Sequence, residues 1–464
     1  MKLEWQDACA VAKVIKAGRV SAEQVVAAAL VRAQSVGAEL NCYVEIFERT
    51  AIQDARRIDA QLKTGGDPGP LAGVPFAVKS LFDVAGVVTL AGSKINRGHA
   101  PASQDAAAVK RLRDAGAVLV GTLGMDEYAF GFTSENTHYG PVRNPHDRAR
   151  TAGGSSGGSG AAVAGGCVPI ALGTDTNGSV RVPASLCGLF GLKPTFGRVS
   201  RAGTAPFTPS LDHVGFLTRS IRDAAIAFDL SHGHDPSDPA SSLRPREPVS
   251  SSLELGLAGL RIGRAVGYFE EEATTEALDA VRSVARWLGA ESEHVVPEAK
   301  TARHAAMILS AVEGSTLHLS DLQARPADFD PMTRDRFIAG ALLSGEAYVR
   351  AQTFRHAYRD VLRQLFCRVD VLVAPATPMV APRIGQDEIE IDGAKLPSRA
   401  HLGRFTQPIS FVGLPVVVVP MRTLGGLPIG VQLIGAPYRE ADLLRVARYL
   451  EAKGAVEAFR PAAY

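Results

Sequence analysis

Short runs of apolar residues alternate with helical patterns over most of this chain, and that alternation limits the folds it can adopt. The segments GVPFAV, AVLVG and VPIAL, at positions 73–78, 117–121 and 168–172, are short and apolar enough to be buried strands. Between the first two, AAAVKRLRDAG follows a helical pattern that Gly116 would close. Strands that alternate with helices in this way predict an α/β fold, with helices packed on a mostly parallel or mixed sheet.

The 464 residues divide into segments of different character. Positions 1–65 predict helices, and Ser21 with Gln24 forms a capping-box signature there. Segment 232–252, rich in proline, serine and charge, is linker-like. After it, LRIGRAV predicts a new strand and positions 275–288 a helix; further strands are expected at 369–373, 416–420 and 429–434. We expect one domain over 1–464, with a catalytic core at about 66–220.

Composition excludes several classes of protein. Fifty basic residues against 48 acidic ones give a net charge of +2, which predicts no binding to nucleic acid or to an anionic membrane through overall charge. The N-terminal sequence has no apolar core of a secretory signal, and the aliphatic run near 416–419 is far too short to span a membrane. Five dispersed cysteines without a CxxC pair fit a reduced cytoplasmic compartment. Eleven dispersed histidines, without HExxH, predict no metal site.

The segment TAGGSSGGSGAAVAGG, at 151–166, has the composition of a flexible linker but leads directly into an apolar run. It lacks the lysine of a phosphate-binding P-loop, and GGSG at 157–160 is not a GxSxG nucleophile elbow. A second small-residue segment, LGTDTNGSVRVPASLCG at 172–188, by itself predicts only a turn. Neither segment identifies a site when it is taken alone.

Together with PLAGVPFAVKSLFD, which carries Lys79, these two segments resemble the amidase signature family. Ser155, Ser179 and Lys79 stand where that family carries its Ser-cisSer-Lys triad, in the same order and with the usual separation of the two serines. SLDHVGFLTRS, APATP and GLPIGVQLIG extend the resemblance over nearly the whole chain. The resemblance implies an enzyme, an amidase with the amidase signature fold, in which a central mixed β-sheet is covered by helices on both faces.

The chemistry of these residue types agrees with that resemblance. A serine hydroxyl is a weak nucleophile until a base takes its proton. A lysine normally keeps its own proton up to a pH of about 10.4, but burial disfavours the charged form, and VPFAV supplies apolar surroundings for Lys79. The resemblance implies that Ser155 relays the proton between Ser179 and Lys79, and that the Gly154–Ser155 peptide is cis.

The turn before Ser179 is expected to bind the oxyanion that forms on the substrate. Such a turn offers backbone N–H groups, and here they belong to Thr176, Asn177, Gly178 and Ser179 itself. The family commonly has Gly-Gly-Ser at this point, so the asparagine is also a candidate substrate contact. We expect Asp175 and Arg181 to pair and hold the turn, an arrangement that a purely structural ion pair would equally explain.

Further segments indicate which class of substrate the enzyme is expected to use. LAGSKINR, GMDEYAFGFTSENTHYGPVRNPHD, RFIAG and FTQPISF resemble those family members that release ammonia from small, carboxylated urea-like amides through an acyl-enzyme. A carboxylate is best held by arginine or a cationic histidine, so the candidates are Arg336 and His213, with Tyr128 as a further substrate contact. A neutral histidine in the core and a solvated arginine on a helix remain the alternatives.

Other functions stay open within the family. The chain could be a glutaminyl-tRNA amidotransferase of the A type, which would bring charged tRNA as a partner, or a general small-amide amidase. A non-enzymatic scaffold is disfavoured because all three triad residues are present. The resemblance implies no cofactor, a homodimer, and a small helical partner protein in the carboxylated-urea type; nothing points to a membrane.

Overall fold

The computed structural model describes residues 5–464 and has one large sheet at its centre. Eleven strands lie in the order Tyr43–Ile46 (β1), Val118–Leu123 (β3), Pro75–Lys79 (β2), Ile170–Thr174 (β8), Val214–Thr218 (β10), Phe190–Lys193 (β9), Val416–Arg422 (β16), Pro428–Gly435 (β17), Val371–Pro375 (β13), Ile262–Val266 (β11) and Ser292–Val295 (β12). The β2–β3, β2–β8, β11–β12 and β11–β13 pairs are parallel and the remaining pairs antiparallel, so the sheet is mixed. The α/β prediction is confirmed.

The remaining strands have the following bounds: β4 Glu135–Asn136, β5 Gly140–Pro141, β6 Arg143–Asn144, β7 Asp147–Thr151, β14 Glu388–Ile391 and β15 Ala394–Pro397. Three small two-stranded sheets, β4–β5, β6–β7 and β14–β15, lie outside the central one.

The helices have the following bounds: α1 Ala8–Lys16, α2 Ala22–Glu39, α3 Glu48–Lys63, α4 Ala107–Asp114, α5 Gly157–Ala164, α6 Arg181–Cys187, α7 Ile221–Ser231, α8 Thr275–Leu288, α9 Ala299–Leu317, α10 Leu319–Ala324, α11 Pro331–Ala341, α12 Gly345–Leu365, α13 Ser398–His401, α14 Gln407–Ser410 and α15 Glu440–Ala452. Helix α8 has the predicted bounds. Strand β8 begins and ends two residues later than expected, so that it ends on Thr174.

Helices cover both faces of the sheet, as β17 shows. A side chain added at Gly430 would point at Ser185 of α6, whereas one added at Gly435 would point at Leu443 of α15. Successive residues of a strand face opposite sides, and these two glycines are an odd number of positions apart. Helices α6 and α15 therefore lie on opposite faces, and every residue of β17 is buried between them.

The N-terminal region is not entirely helical, which corrects the prediction for positions 5–65; positions 1–4 of the predicted region lie outside the described residues. Strand β1 follows α2 and pairs antiparallel with β3 at one edge of the sheet. The pairing of Tyr43 with Leu123, and the shift of register before Glu45, adapt a segment of only four residues to that edge. So short a strand has too little periodicity to be distinguished from its helical neighbours.

The linker-like segment 232–252 is fastened to the surface by specific contacts. The buried carboxylate of Asp238 pairs with Arg201 at 2.8 Å, and the Ser242 backbone N–H donates to the Gly197 carbonyl at 2.8 Å. Strands from both sides of this segment, β10 and β11 among them, belong to the same sheet. On this ground we propose that residues 1–464 form a single domain.

The capping box at the start of α2 allows a test of local stability. Ser21 Oγ accepts from the Gln24 backbone N–H, and the Gln24 side chain accepts from the Ser21 N–H, both at 3.0 Å. We expect Ser21→Ala to lower the free energy of unfolding by about 0.5–2 kcal/mol in chemical denaturation. Ser35→Ala is the control, because Ser35 donates only to the Val31 carbonyl within the same helix. Equal effects of the two substitutions would contradict a capping role for Ser21.

Candidate active site

The sheet brings the catalytic candidate Lys79 beside the end of a neighbouring strand. Strands β2 and β8 are parallel, and Val78 lies opposite Leu172, so the carboxyl ends of the two strands meet. Lys79 Nζ donates to Thr174 Oγ1 at 2.9 Å and to Ser155 Oγ at 2.7 Å. The structure therefore unites Lys79 and Ser155, which are far apart in sequence, and adds Thr174 as a second partner of the amine.

Lys79 is completely buried, and this changes its acidity. Removal from water penalises the ammonium form and lowers the pKa of Lys79 to about 7. The carboxylates of Asp126, Asp212 and Asp175 act in the opposite direction but do not cancel the effect of burial. A substantial fraction of the lysine is therefore a neutral amine near neutral pH, and a neutral amine can accept a proton.

Close packing explains the glycines around Ser155. The Gly154–Ser155 peptide is cis. A side-chain carbon on Gly154 would lie 2.1 Å from Asp126 Oδ2, and one on Gly158 would lie 2.5 Å from the Gly124 backbone nitrogen. The hydroxyl of Ser134 accepts from the Gly157 N–H at 3.1 Å, at the start of α5. The small residues of this segment let backbones and a carboxylate approach closely, so the segment is a packed turn and not a linker.

The turn between β8 and α6 presents unused backbone donors. Among the contacts of residues 5–464, none of the N–H groups of Thr176, Asn177, Gly178 and Ser179 donates a hydrogen bond. The Ser179 carbonyl accepts from the Ser156 N–H at 3.2 Å, which joins this turn to the turn that carries Ser155. Free N–H groups beside a serine are suited to stabilising negative charge on a substrate oxygen.

A buried ion pair holds this turn, as the sequence predicted. Arg181 Nε and Nη2 donate to the two oxygens of Asp175, both at 2.9 Å, and neither side chain is accessible to water. Burial alone would raise the pKa of Asp175, but the Arg181 guanidinium holds that pKa well below its usual range. Arg181 Nη1 also donates to the Thr406 carbonyl and to Gln432 Oε1, at 3.1 and 2.8 Å.

A cavity of about 280 Å³ opens beside Ser179. Its wall is largely apolar, with Phe130 packed against Phe207 at a ring distance of 4.7 Å. Two predicted substrate contacts, Asn177 and Arg336, lie on this wall. The residues that line it are Ala129, Phe130, Gly131, Phe132, Thr176, Asn177, Ser179, Phe207, Met307, Ile308, Ser310, Ala311, Arg336, Ala339, Leu343 and Gln407.

The structure does not bring Tyr128 or His213, two of the predicted substrate contacts, to the wall of this cavity. The Tyr128 hydroxyl donates to Asn96 Oδ1 at 2.9 Å, and the centre of its ring lies 3.8 Å from that of His318. His213 Nδ1 lies 3.0 Å from the Asp175 carbonyl oxygen, and burial lowers the pKa of His213 well below its ordinary value. A neutral histidine that bonds to the backbone behind the oxyanion turn cannot supply a cation to a substrate carboxylate.

Several residues of the site escape sequence reasoning because only the tertiary structure reveals their positions. Thr174 ends β8 and reaches Lys79; Gln407 lies on the cavity wall in a segment already noted, FTQPISF. Within residues 5–464, no group of three or more histidine, cysteine, aspartate or glutamate side chains could hold a metal ion. Over the same residues, no helix has the length and apolar character needed to cross a membrane.

Comparison with known proteins agrees with this geometry. The sequence profile of the amidase family matches residues 24–444. The chain is 51% identical, over 95% of its length and 97% of the relative, to AtzE, the 1-carboxybiuret hydrolase component of Pseudomonas sp. (strain ADP). It is 38% identical to the A component of glutamyl-tRNA(Gln) amidotransferase from Anaeromyxobacter sp. (strain K), over 94% of both chains.

Solved structures lead to the same family. One, described as a vestigial protein complex that reveals the origins of an s-triazine catabolic enzyme, superposes with a TM-score of 0.97 at 49% identity, over 98% of this chain and all of the other. A bacterial aryl acylamidase of the amidase signature enzymes superposes with a TM-score of 0.89 at 28% identity, over 97% of each chain. By its sequence and its fold, the chain belongs to the amidase signature family and is an amide hydrolase.

Proposed function

We propose that this amidase hydrolyses 1-carboxybiuret and releases ammonia. The relative that supports this substrate matches nearly the full length of both chains. The observation that carries the proposal is the position of Arg336, a cation on the wall of the cavity that contains Ser179. A substrate with a carboxylate at one end and a terminal amide at the other could reach both residues.

The bonding of Arg336 leaves most of its guanidinium available. Nη1 donates to the Phe130 carbonyl at 2.9 Å, and the guanidinium carbon lies 4.3 Å above the Phe130 ring. In the part of the chain that the structure describes, no carboxylate lies within ion-pair distance of Arg336; Asp126, the acid that acts on it, is paired with Arg399. Burial lowers the pKa of Arg336 to about 10, so that it stays charged near neutral pH.

The proposed reaction uses the three triad residues in sequence. Ser179 Oγ attacks the carbonyl carbon of the terminal amide, and its proton passes to Ser155 as the Ser155 proton passes to Lys79. The oxyanion that forms accepts from the free N–H groups of the turn 176–179. Return of the proton along the same path lets ammonia leave and produces an acyl-enzyme. Water then attacks that ester, which releases the acid and restores the Ser179 hydroxyl.

We also propose that the enzyme works as an oligomer, a homodimer with a small helical partner protein. The similar solved structure is itself described as a protein complex. Its setting is proposed to be the cytoplasm, which agrees with five cysteines that are all free thiols.

The role of Ser179 is tested by Ser179→Ala. We expect the purified variant to lose ammonia release from 1-carboxybiuret while its thermal unfolding stays close to that of the wild type, because only one hydroxyl on the cavity wall is removed. Ser159→Ala is the matched control: Ser159 is also buried, but its hydroxyl donates to the Leu172 carbonyl in the core. Activity that survives Ser179→Ala above a few per cent would exclude Ser179 as the nucleophile.

The role of Lys79 is tested by the pH dependence of kcat/KM. Because the pKa of Lys79 lies at about 7, the lysine becomes protonated as the pH falls below that value. We expect kcat/KM to fall about tenfold per pH unit on the acid side of pH 7. A second buried lysine, Lys193, also has its pKa lowered to about 7 by burial, so Lys193→Met is the necessary control. An acid limb that disappears in Lys193→Met would assign the titration to Lys193 instead.

The role of Arg336 is tested by comparing a charged and a neutral substrate. Arg336→Gln removes a charge-assisted contact, so we expect kcat/KM for 1-carboxybiuret to fall roughly 10- to 100-fold, with a much smaller fall for neutral biuret. Arg334→Gln on the same helix is the control, because that side chain pairs with Asp335. Equal losses on the two substrates would contradict recognition of the carboxylate by Arg336. A parallel screen with glutamine and simple amides distinguishes the other functions of the family.

A further inference from the structure

Gln407 is a polar residue of the cavity wall that the proposed reaction does not use. It is the first residue of the short helix α14, only 4% of it is exposed, and it lies on the same cavity as Ser179 and Asn177. A buried amide on a largely apolar wall needs hydrogen-bond partners for both its oxygen and its nitrogen. The partners of these two groups therefore decide what Gln407 can offer a ligand.

The orientation of the Gln407 amide follows from its neighbour Arg303. Arg303 Nε donates to Gln407 Oε1 at 3.0 Å, and Arg303 Nη2 donates to the Ala400 carbonyl at 3.0 Å. A guanidinium can only donate, so the oxygen of the Gln407 amide must face it. The Nε2 group is then turned away. It has no hydrogen-bond partner among residues 5–464, and it is not among their fully buried polar atoms that lack a partner. The Nε2 group is therefore accessible, and it opens toward the cavity.

The backbone at Gln407 is attached to the oxyanion turn. Thr406 Oγ1 donates to the Asn177 carbonyl at 2.6 Å, and the Thr406 carbonyl accepts from Arg181 at 3.1 Å. Gly178 packs so closely that a side-chain carbon there would lie 2.2 Å from Thr406 Oγ1. These contacts therefore fix the distance between the Gln407 amide and the turn 176–179, at which the reacting carbonyl of the substrate would bind.

Another polar group on the same wall is already occupied. Ser310 Oγ donates to the Ala306 carbonyl at 2.9 Å and accepts from Asn177 Nδ2 at 2.7 Å. The proton of Ser310 is thus engaged by α9, and the Nδ2 group of Asn177 is engaged by Ser310. Gln407 Nε2 offers the cavity a neutral donor, chemically distinct from the charged group of Arg336.

We propose that Gln407 is a specificity-determining residue, whose Nε2 group donates a hydrogen bond to a second carbonyl oxygen of the substrate, beyond the carbonyl that Ser179 attacks. Arg303 is a positioning residue that fixes the orientation of the Gln407 amide. The substrates this arrangement favours are amides with a second carbonyl one atom removed from the first, as in biuret-like compounds. The inference rests on the proposed role of Ser179 as nucleophile.

The test compares the binding of two ligands of similar shape to protein that cannot hydrolyse them. Malonamide carries the second carbonyl and 3-methylbutanamide lacks it. Ligand-observed NMR measures their Kd values on the full-length Ser179→Ala protein. We expect malonamide to bind about five- to tenfold more tightly than 3-methylbutanamide, as is typical for one neutral hydrogen bond. The comparison removes the general effect of cavity size, because both ligands have the same branched arrangement of non-hydrogen atoms.

Gln407→Glu, made in the Ser179→Ala protein, separates donation from structure. Glutamate has the same shape and can keep the contact with Arg303 as an ion pair, but it presents an acceptor to the ligand. We expect the preference for malonamide to vanish or reverse, and Arg303→Met to weaken it because the amide can then turn. Gln352→Glu is the matched control: Gln352 bonds to the Tyr348 hydroxyl on α12, away from the cavity, and the preference should persist.

Three results would overturn the role of Gln407: equal Kd values for the two ligands, a preference that survives Gln407→Glu, or binding of neither ligand. Thermal unfolding of each variant detects a merely structural effect, which would weaken the binding of both ligands equally. Ammonia release from 1-carboxybiuret is measured separately on protein with Ser179 intact. Its absence would overturn the proposed substrate, whereas the preference between the two ligands decides the role of Gln407.

Discussion

The buried pair of Asp175 and Arg181 is the interaction on which the site depends. Two charges removed from water are costly unless each is paired and hydrogen-bonded. Here the carboxylate receives two donors from the guanidinium, and the guanidinium also reaches the Thr406 carbonyl and the side chain of Gln432. One arginine thus joins the turn 176–179, the segment that leads to α14, and strand β17. With a further contact to Ser410 Oγ, these bonds use all five N–H groups of the guanidinium, so the turn is tied to the sheet.

Burial makes the pairing of Asp175 with Arg181 necessary, and it also gives Lys79 the lowered pKa that a base needs. No carboxylate lies within ion-pair distance of Lys79 in the described chain, so desolvation dominates and the amine loses its proton readily. Its two contacts are hydroxyls, those of Ser155 and Thr174. A hydroxyl can either accept a hydrogen bond from an amine or donate one to it, whereas a carboxylate can only accept one. An amine bonded only to hydroxyls can therefore exchange a proton without breaking an ion pair.

The cavity combines an apolar wall with a few polar groups of fixed orientation. Phe130 illustrates both functions: its ring packs on Phe207, and its carbonyl and ring face hold the guanidinium of Arg336. Apolar surroundings exclude water and so strengthen each remaining hydrogen bond. A small ligand in such a site is selected less by the number of polar contacts than by where the donors stand. The wall places a cation at Arg336 and a neutral donor at Gln407.

The sequence by itself determined the α/β class and most strands of the sheet, because these follow from short-range patterns. Its resemblance to the amidase signature family named Lys79, Ser155 and Ser179 as the candidate triad, and the turn before Ser179 suggested the Asp175–Arg181 pair. Strand β1 could not, because four residues carry too little periodicity. Nor could the positions of substrate contacts, since they depend on which side chains tertiary packing turns inward. His213 and Arg336 were both candidates for a carboxylate; packing placed the first against the backbone of Asp175 and left the second on the cavity wall.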